Sequence, residues 1–220
     1  MGLYYPNQTK FDVIGSETDA GVITRVALTD YYNYDGTTTK SFAVGGFPKL
    51  ELNVSYLAGV GETSNSLQIA IDSSNDGVTW FRLVNDSVSD GTSTLTQRQF
   101  TIAQSTVEGY LAYDGQSANF TAGLKVTDGT SGATGYIESD TDGGTAGTLL
   151  LSNISGTFGN DNAITDSGTG AATINGVLQS LTNFSLPLDI SSEHIRISVK
   201  ETGVSANAGT IFVSGLLLGK

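Results

Sequence analysis

Short runs of alternating apolar and polar side chains recur along this chain. In Lys49 to Tyr56, Leu50, Leu52, Val54 and Tyr56 share one face while Glu51, Asn53 and Ser55 share the other, which predicts a half-buried strand. The same period of two predicts strands over 66–72 and 78–84, joined through Ser73-Ser-Asn-Asp-Gly77, whose Asp76-Gly77 pair suits a tight reversal. A further strand is predicted over 97–103, after the turn-like segment 89–93. Towards the end, His194 to Lys200 points Ile195, Ile197 and Val199 inward. The run 210–218 is the most apolar of all and predicts a central or covered strand, with 202–209 as the connecting loop. No stretch repeats apolar residues at helical spacing over several turns, so the chain reads as all-β.

The middle differs in texture. Residues 107–178 carry 14 of the 28 glycines and a single basic residue, Lys125. Short strands are predicted there at 124–126, 134–138, 147–151, 163–165 and 171–178, separated by glycine turns, as in a small barrel or sandwich. Such a shift marks a domain edge. The expected organisation is a discontinuous β-sandwich made of 1–106 and 179–220, with 107–178 inserted in one of its loops. Antiparallel strands with long returns favour a jelly-roll-like sandwich.

Composition narrows the chemistry. Without cysteine, neither disulfides nor thiolate metal sites hold the fold, and apolar packing must. A formal charge of -12, from 22 acidic and 10 basic residues, repels phosphate backbones and anionic lipid, so neither nucleic acid nor membrane is an expected partner. The opening Met1-Gly-Leu-Tyr-Tyr-Pro6 lacks the basic flank and apolar run of a secretory signal, which leads to the expectation of a protein made and left in the cytoplasm.

The segments Phe47 to Val54, Asn75 to Trp80, Leu186 to Ile190 and His194 to Val199 resemble small structural proteins of tailed bacteriophages encoded near head genes. The run Gly123 to Gly135, with 147–151, Gly156-Thr-Phe158 and 163–165, is similar to a glycine-rich β module that recurs in virion proteins of environmental phages. The resemblance covers most of the chain and implies particle assembly in the host cytoplasm. It implies a capsid decoration (cement) or head-fibre protein that binds the major capsid protein or other virion proteins, with neck, tail and baseplate as alternative places. A homo-oligomer, with a trimer as the guess, fits that role. No active-site residue is carried over by it.

Individual residues fit a non-catalytic reading, with no catalytic, cofactor or metal site assigned. His194, the single histidine, falls on the polar face beside Arg196 and reads as a surface strand residue. Asp140-Thr-Asp-Gly-Gly144 and Asp72-Ser-Ser-Asn-Asp76 gather oxygens that a calcium ion accepts, but lack the spacing of a helix-loop-helix calcium loop and read as turn formers. Ser74 to Trp80 resembles the Asp-box of sialidase-like propellers, yet its glycine follows the aspartate directly and the motif occurs once, which argues against a propeller. Trp80 is expected on a strand as a core or partly covered aromatic. Tyr31, Tyr32 and Tyr34, in a polar glycine-ended loop, are candidate interface residues, and Tyr4 and Tyr5 form a candidate arm. The competing functions are a glycan-binding adhesin using Tyr31, Tyr32, Tyr34 or Trp80, and, last, a hydrolase.

Overall fold

The computed structural model describes residues 8–18, 22–28, 32–33, 41–60, 66–82, 99–103, 107–202 and 208–219. Among the described residues there are nineteen strands and no helix. In chain order they are β1 (Gln8–Ile14), β2 (Ser16–Glu17), β3 (Ile23–Thr24), β4 (Val26–Ala27), β5 (Tyr32–Asn33), β6 (Phe42–Ala43), β7 (Lys49–Leu57), β8 (Ser66–Ser74), β9 (Phe81–Arg82) and β10 (Gln99–Ala103). There follow β11 (Glu108–Ala118), β12 (Lys125–Asp128), β13 (Thr134–Asp142), β14 (Gly147–Ser155), β15 (Ala163–Asp166), β16 (Ala171–Ile174), β17 (Gln179–Asp189), β18 (His194–Thr202) and β19 (Thr210–Leu218). Every pairing is antiparallel.

The first and last parts of the chain share one core. Strands β1, β19, β7 and β17 lie side by side in one sheet, and β10, β8, β18 and β5 in another. Alternation sends Leu50, Leu52, Val54 and Tyr56 of β7 and Ile211, Val213 and Leu217 of β19 inward, against Leu67, Ile69 and Ile71 of β8 and Ile195, Ile197 and Val199 of β18. All are buried in a single cluster, and each such side chain contributes about 1.5–3 kcal/mol by leaving water.

The strand expected over 78–84 is a correction. Within the described part of that range only Phe81 and Arg82 pair with β8, opposite Ser73 and Asp72, and Val78, Thr79 and Trp80 lie outside any strand. The cause is local: the Asp76 carboxylate accepts the N–H groups of Val78 and Thr79, which prolongs the turn before the ladder begins. Residues 83 and 84 lie outside the described residues. Pattern reading also passed over β11 and β17. In β17, Pro187 interrupts the signal, yet it is tolerated there. Only 179–181 of β17 pair with β11, so beyond Leu181 that edge has no ladder to lose among the described residues.

Residues 107–178 form a closed ring of six strands in the order β11, β14, β13, β12, β15, β16, with β16 pairing back onto β11. A second buried cluster fills it, including Leu111, Tyr113, Phe120, Val126, Ile137, Leu149, Leu151, Phe158, Ile164 and Ile174. The ring joins the outer sheet where Glu108, Gly109 and Tyr110 pair with Leu181, Ser180 and Gln179.

The ring is a tandem repeat folded about a twofold axis. Gly109, Leu111, Phe120, Thr127 and Asp128 recur as Gly147, Leu149, Phe158, Thr165 and Asp166, each 38 residues further on. The β11–β14 register is symmetric about the pair Leu111 and Leu149, and the β12–β15 register about Thr127 and Thr165. Hydrogen bonds repeat in exchanged form. The N–H of Gly129 donates to Ala163 O at 2.9 Å and that of Ser167 to Lys125 O at 2.9 Å; Gln116 donates to Thr145 O and Ile154 to Val107 O. Even the left-handed backbone positions match, at Gly115 with Asn153 and Gly123 with Asp161.

Candidate functional site

At one end of the outer two-sheet body, the β8–β9 turn is locked by side chains. Asp76 accepts the Ser74 hydroxyl at 2.8 Å and the Val78 and Thr79 N–H groups at 2.8 and 2.7 Å. Bonds from the Thr79 and Val78 backbone, then from Ser74, hold its carboxyl well below the usual carboxylate range. The Ser74 hydroxyl oxygen in turn accepts the N–H of Gly77, which sits at φ +70°. Nearby, the buried Asp72 lies opposite Arg196 across the β8–β18 register and accepts its Nε at 2.8 Å. The Arg196 guanidinium rests 4.7 Å from the centre of the Trp80 ring. Trp80 is thus partly covered by a cation and off the strand on which it was expected. His194 lies at this same end, its ring beside Gly77, in a β18 register opposite Ser74. The result is a hydrogen-bonded tip that holds two large apolar side chains in solvent, Val78 at 80% exposure and Phe81 at 66%.

A second feature lies on the outward face of the first outer sheet. Strand register aligns Asn183, Ser55 and Phe212 in one row across β17, β7 and β19, and Ser185, Asn53 and Ser214 in the next. The β2–β3 hairpin brings Glu17 and Ile23 over this floor, and Lys10 of β1 meets Glu17 at 2.5 Å, enclosing a groove of about 440 Å³. Arg25 donates to the Ser55 hydroxyl at 2.7 Å, and Ser185 donates to the Asn53 carbonyl at 2.5 Å.

The barrel carries a third set of polar groups. Asp128, fully buried, accepts the N–H groups of Thr130 and Ser131 on one oxygen and those of Gly159 and the Asn162 side chain on the other, at 2.8–3.0 Å. Burial pushes its pKa up, but the Asn162, Gly159, Ser131 and Thr130 donors outweigh it and hold the group well below the usual carboxylate range. Asp166 likewise accepts Gly168, Gly170 and Thr121. On the barrel wall, the Tyr113 hydroxyl donates to Asp140 at 2.8 Å. Burial and then the carboxylate of Asp140 raise the Tyr113 pKa; burial and the Asp142 charge raise that of Asp140, against the pull of the Tyr113 bond.

Of the acidic segments weighed for calcium, Asp142 accepts the Gly144 N–H and Asp76 the turn at 76–79, so both aspartates act as turn formers. No group of three or more His, Cys, Asp or Glu side chains is placed to hold a metal ion among the described residues. Tyr4, Tyr5, Tyr31 and Tyr34 lie outside the described residues; Tyr32 belongs to β5, its backbone opposite Val199 of β18. Sequence reading missed Asp128 and Asp166. The repeated Thr-Asp before a glycine-rich turn was the available signal. It also missed the groove, because neighbours across a sheet are set by register between distant segments. Compared with known protein families, with curated proteins and with solved structures, the chain gives no match.

Proposed function

We propose that this chain is a non-catalytic structural protein of a tailed-bacteriophage particle, a decoration protein that docks on the head surface through the Val78 and Phe81 tip. The observation that carries this reading is that tip. Large apolar side chains held in water by a carboxylate-locked turn cost solubility unless a partner covers them, and pre-ordering the turn lowers the entropy lost on docking. The resemblance of 47–54, 75–80, 186–190 and 194–199 to phage head-region proteins supplies the partner, the major capsid protein. In this reading the outer sheets make a jelly-roll-like sandwich whose core is the shared apolar cluster, and the glycine-rich barrel projects away from the shell. The protein assembles as a trimer in the host cytoplasm and stays with the virion; its charge of -12 keeps it from packaged nucleic acid and from membranes.

Mass spectrometry of purified particles tests the role: the polypeptide should be present at a fixed ratio to the capsid protein, and its absence refutes it. Val78→Asp with Phe81→Asp tests the surface. The doubly substituted protein should fold, since both side chains are exposed, and fail to bind particles that lack the native protein. Unaltered binding would remove the tip from the proposal.

A further inference from the structure

The groove over β7, β17 and β19 is separate from the apolar tip and has a different chemistry. Its floor is the outward face of interior strands: β7 is paired with β17 on one side and β19 on the other, so its backbone N–H and C=O groups are taken up in the two ladders. A ligand here is recognised through side chains, not as an added strand. Those side chains are two carboxamides, Asn53 and Asn183, and three hydroxyls, Ser55, Ser185 and Ser214.

Two cations and two carboxylates border the groove: Lys10 is paired with Glu17, the Arg25 guanidinium donates to the Ser55 hydroxyl, and Glu108 accepts the Asn183 side-chain amide at 3.3 Å. A chain of charge -12 disfavours an anionic ligand, and the floor offers no carboxylate cluster for a cation. Ser214 points to a missing partner. It is 3% exposed, lines the groove, and its hydroxyl has no hydrogen bond among the described residues. A buried hydroxyl without a partner costs about 1–3 kcal/mol, and a ligand group removes that cost. The Asn53 amide nitrogen likewise has no acceptor among the described residues, while its carbonyl is held by Ser185. Ile23, 37% exposed on the overhanging hairpin, supplies an apolar wall.

We infer that this groove binds a neutral saccharide. Vicinal hydroxyls are both donors and acceptors, which is what carboxamides and serines match, and the C–H face of a sugar ring packs on a wall such as Ile23. The volume of about 440 Å³ lies in the range of small-ligand sites. This inference is independent of the virion role and of the tip.

The test is titration of the full-length protein with neutral oligosaccharides, namely maltotriose, cellotriose, chitotriose and mannotriose, followed by amide chemical shifts and calorimetry. At least one should bind with shifts confined to β7, β17, β19 and the β2–β3 hairpin. Asn53→Ala and, separately, the exposed Asn183→Ala should each weaken it tenfold or more, with the thermal midpoint of Asn183→Ala unchanged. Trp80→Ala should leave binding intact. No binding by any of the four sugars, binding with shifts elsewhere, or affinity indifferent to both asparagines overturns the inference.

Discussion

Asp128 and Asp166 are exchanged by the twofold axis of the barrel, and each uses its two carboxylate oxygens for different halves. One oxygen holds the N–H groups of its own hairpin, Thr130 and Ser131 or Gly168 and Gly170. The other reaches across: Asp128 to Gly159, Asp166 to Thr121, which occupy equivalent places in the two repeats. The aspartates therefore tie each half of the ring to the other.

Removing either one should loosen the whole ring. Asp128→Ala strands four donors and is expected to destabilise the barrel by about 3 kcal/mol; Asp166→Ala, with three, by about 2 kcal/mol. Urea unfolding followed by hydrogen exchange of β12 and β15 amides reads both values. Equal or negligible losses would contradict the bonding pattern.

The depressed Asp128 pKa makes the barrel acid-sensitive. The carboxylate stays ionised in the folded state, whereas the unfolded chain takes up a proton near its ordinary value of about 3.9. Its contribution is therefore fully present above that value and declines as pH falls below it towards the folded pKa. Between about pH 5 and pH 2 the midpoint of barrel unfolding should drop, and Asp128→Asn should start lower and depend less on pH over the same window. Thermal melts across that range decide it.

Arg196 holds the buried Asp72 by a charge-assisted hydrogen bond across the β8–β18 ladder. Asp72 is 4% exposed and paired to Arg196 at 2.8 Å. Arg196→Ala should cost about 2 kcal/mol in the outer core, more than the removal of an exposed ion pair such as Lys10 with Glu17, which is worth about 0–1 kcal/mol. Arg196→Ala should also red-shift the Trp80 emission, because the ring loses the guanidinium that partly covers it and meets more water. Paired denaturation curves and fluorescence spectra check both effects.

Two separate cores imply separable damage. Leu111→Ala, at the barrel's axis, should destabilise the ring by about 2–5 kcal/mol, and Ile197→Ala should do the same for the outer core. Exchange mass spectrometry should show protection lost in 108–174 for the first and in β7, β8, β18 and β19 for the second. Loss spread evenly over both by either substitution would mean the cores unfold as one.

Much of the architecture was legible in side-chain alternation. Strands β7, β8, β18 and β19 each carry an unbroken apolar face, and β12 to β15 sit between glycine turns, so local pattern suffices to find them. It failed where local signals conflict: Pro187 masks β17, and the carboxylate of Asp76 replaces two expected strand residues by turn. The repeat lay open in the sequence as Thr127-Asp128 and Thr165-Asp166, but the glycine turns around it drew the reading to its punctuation.

By itself the order of residues determined a chain of β-strands, because period-two burial is a property of each strand alone. Only the tertiary structure decided that the middle closes into a twofold ring, that Asn53 lies between Ser185 and Ser214, and that Val78 and Phe81 stand in water. Those are relations between segments far apart in the chain, set by register and by how the backbone's polar groups find partners, and no local pattern encodes them.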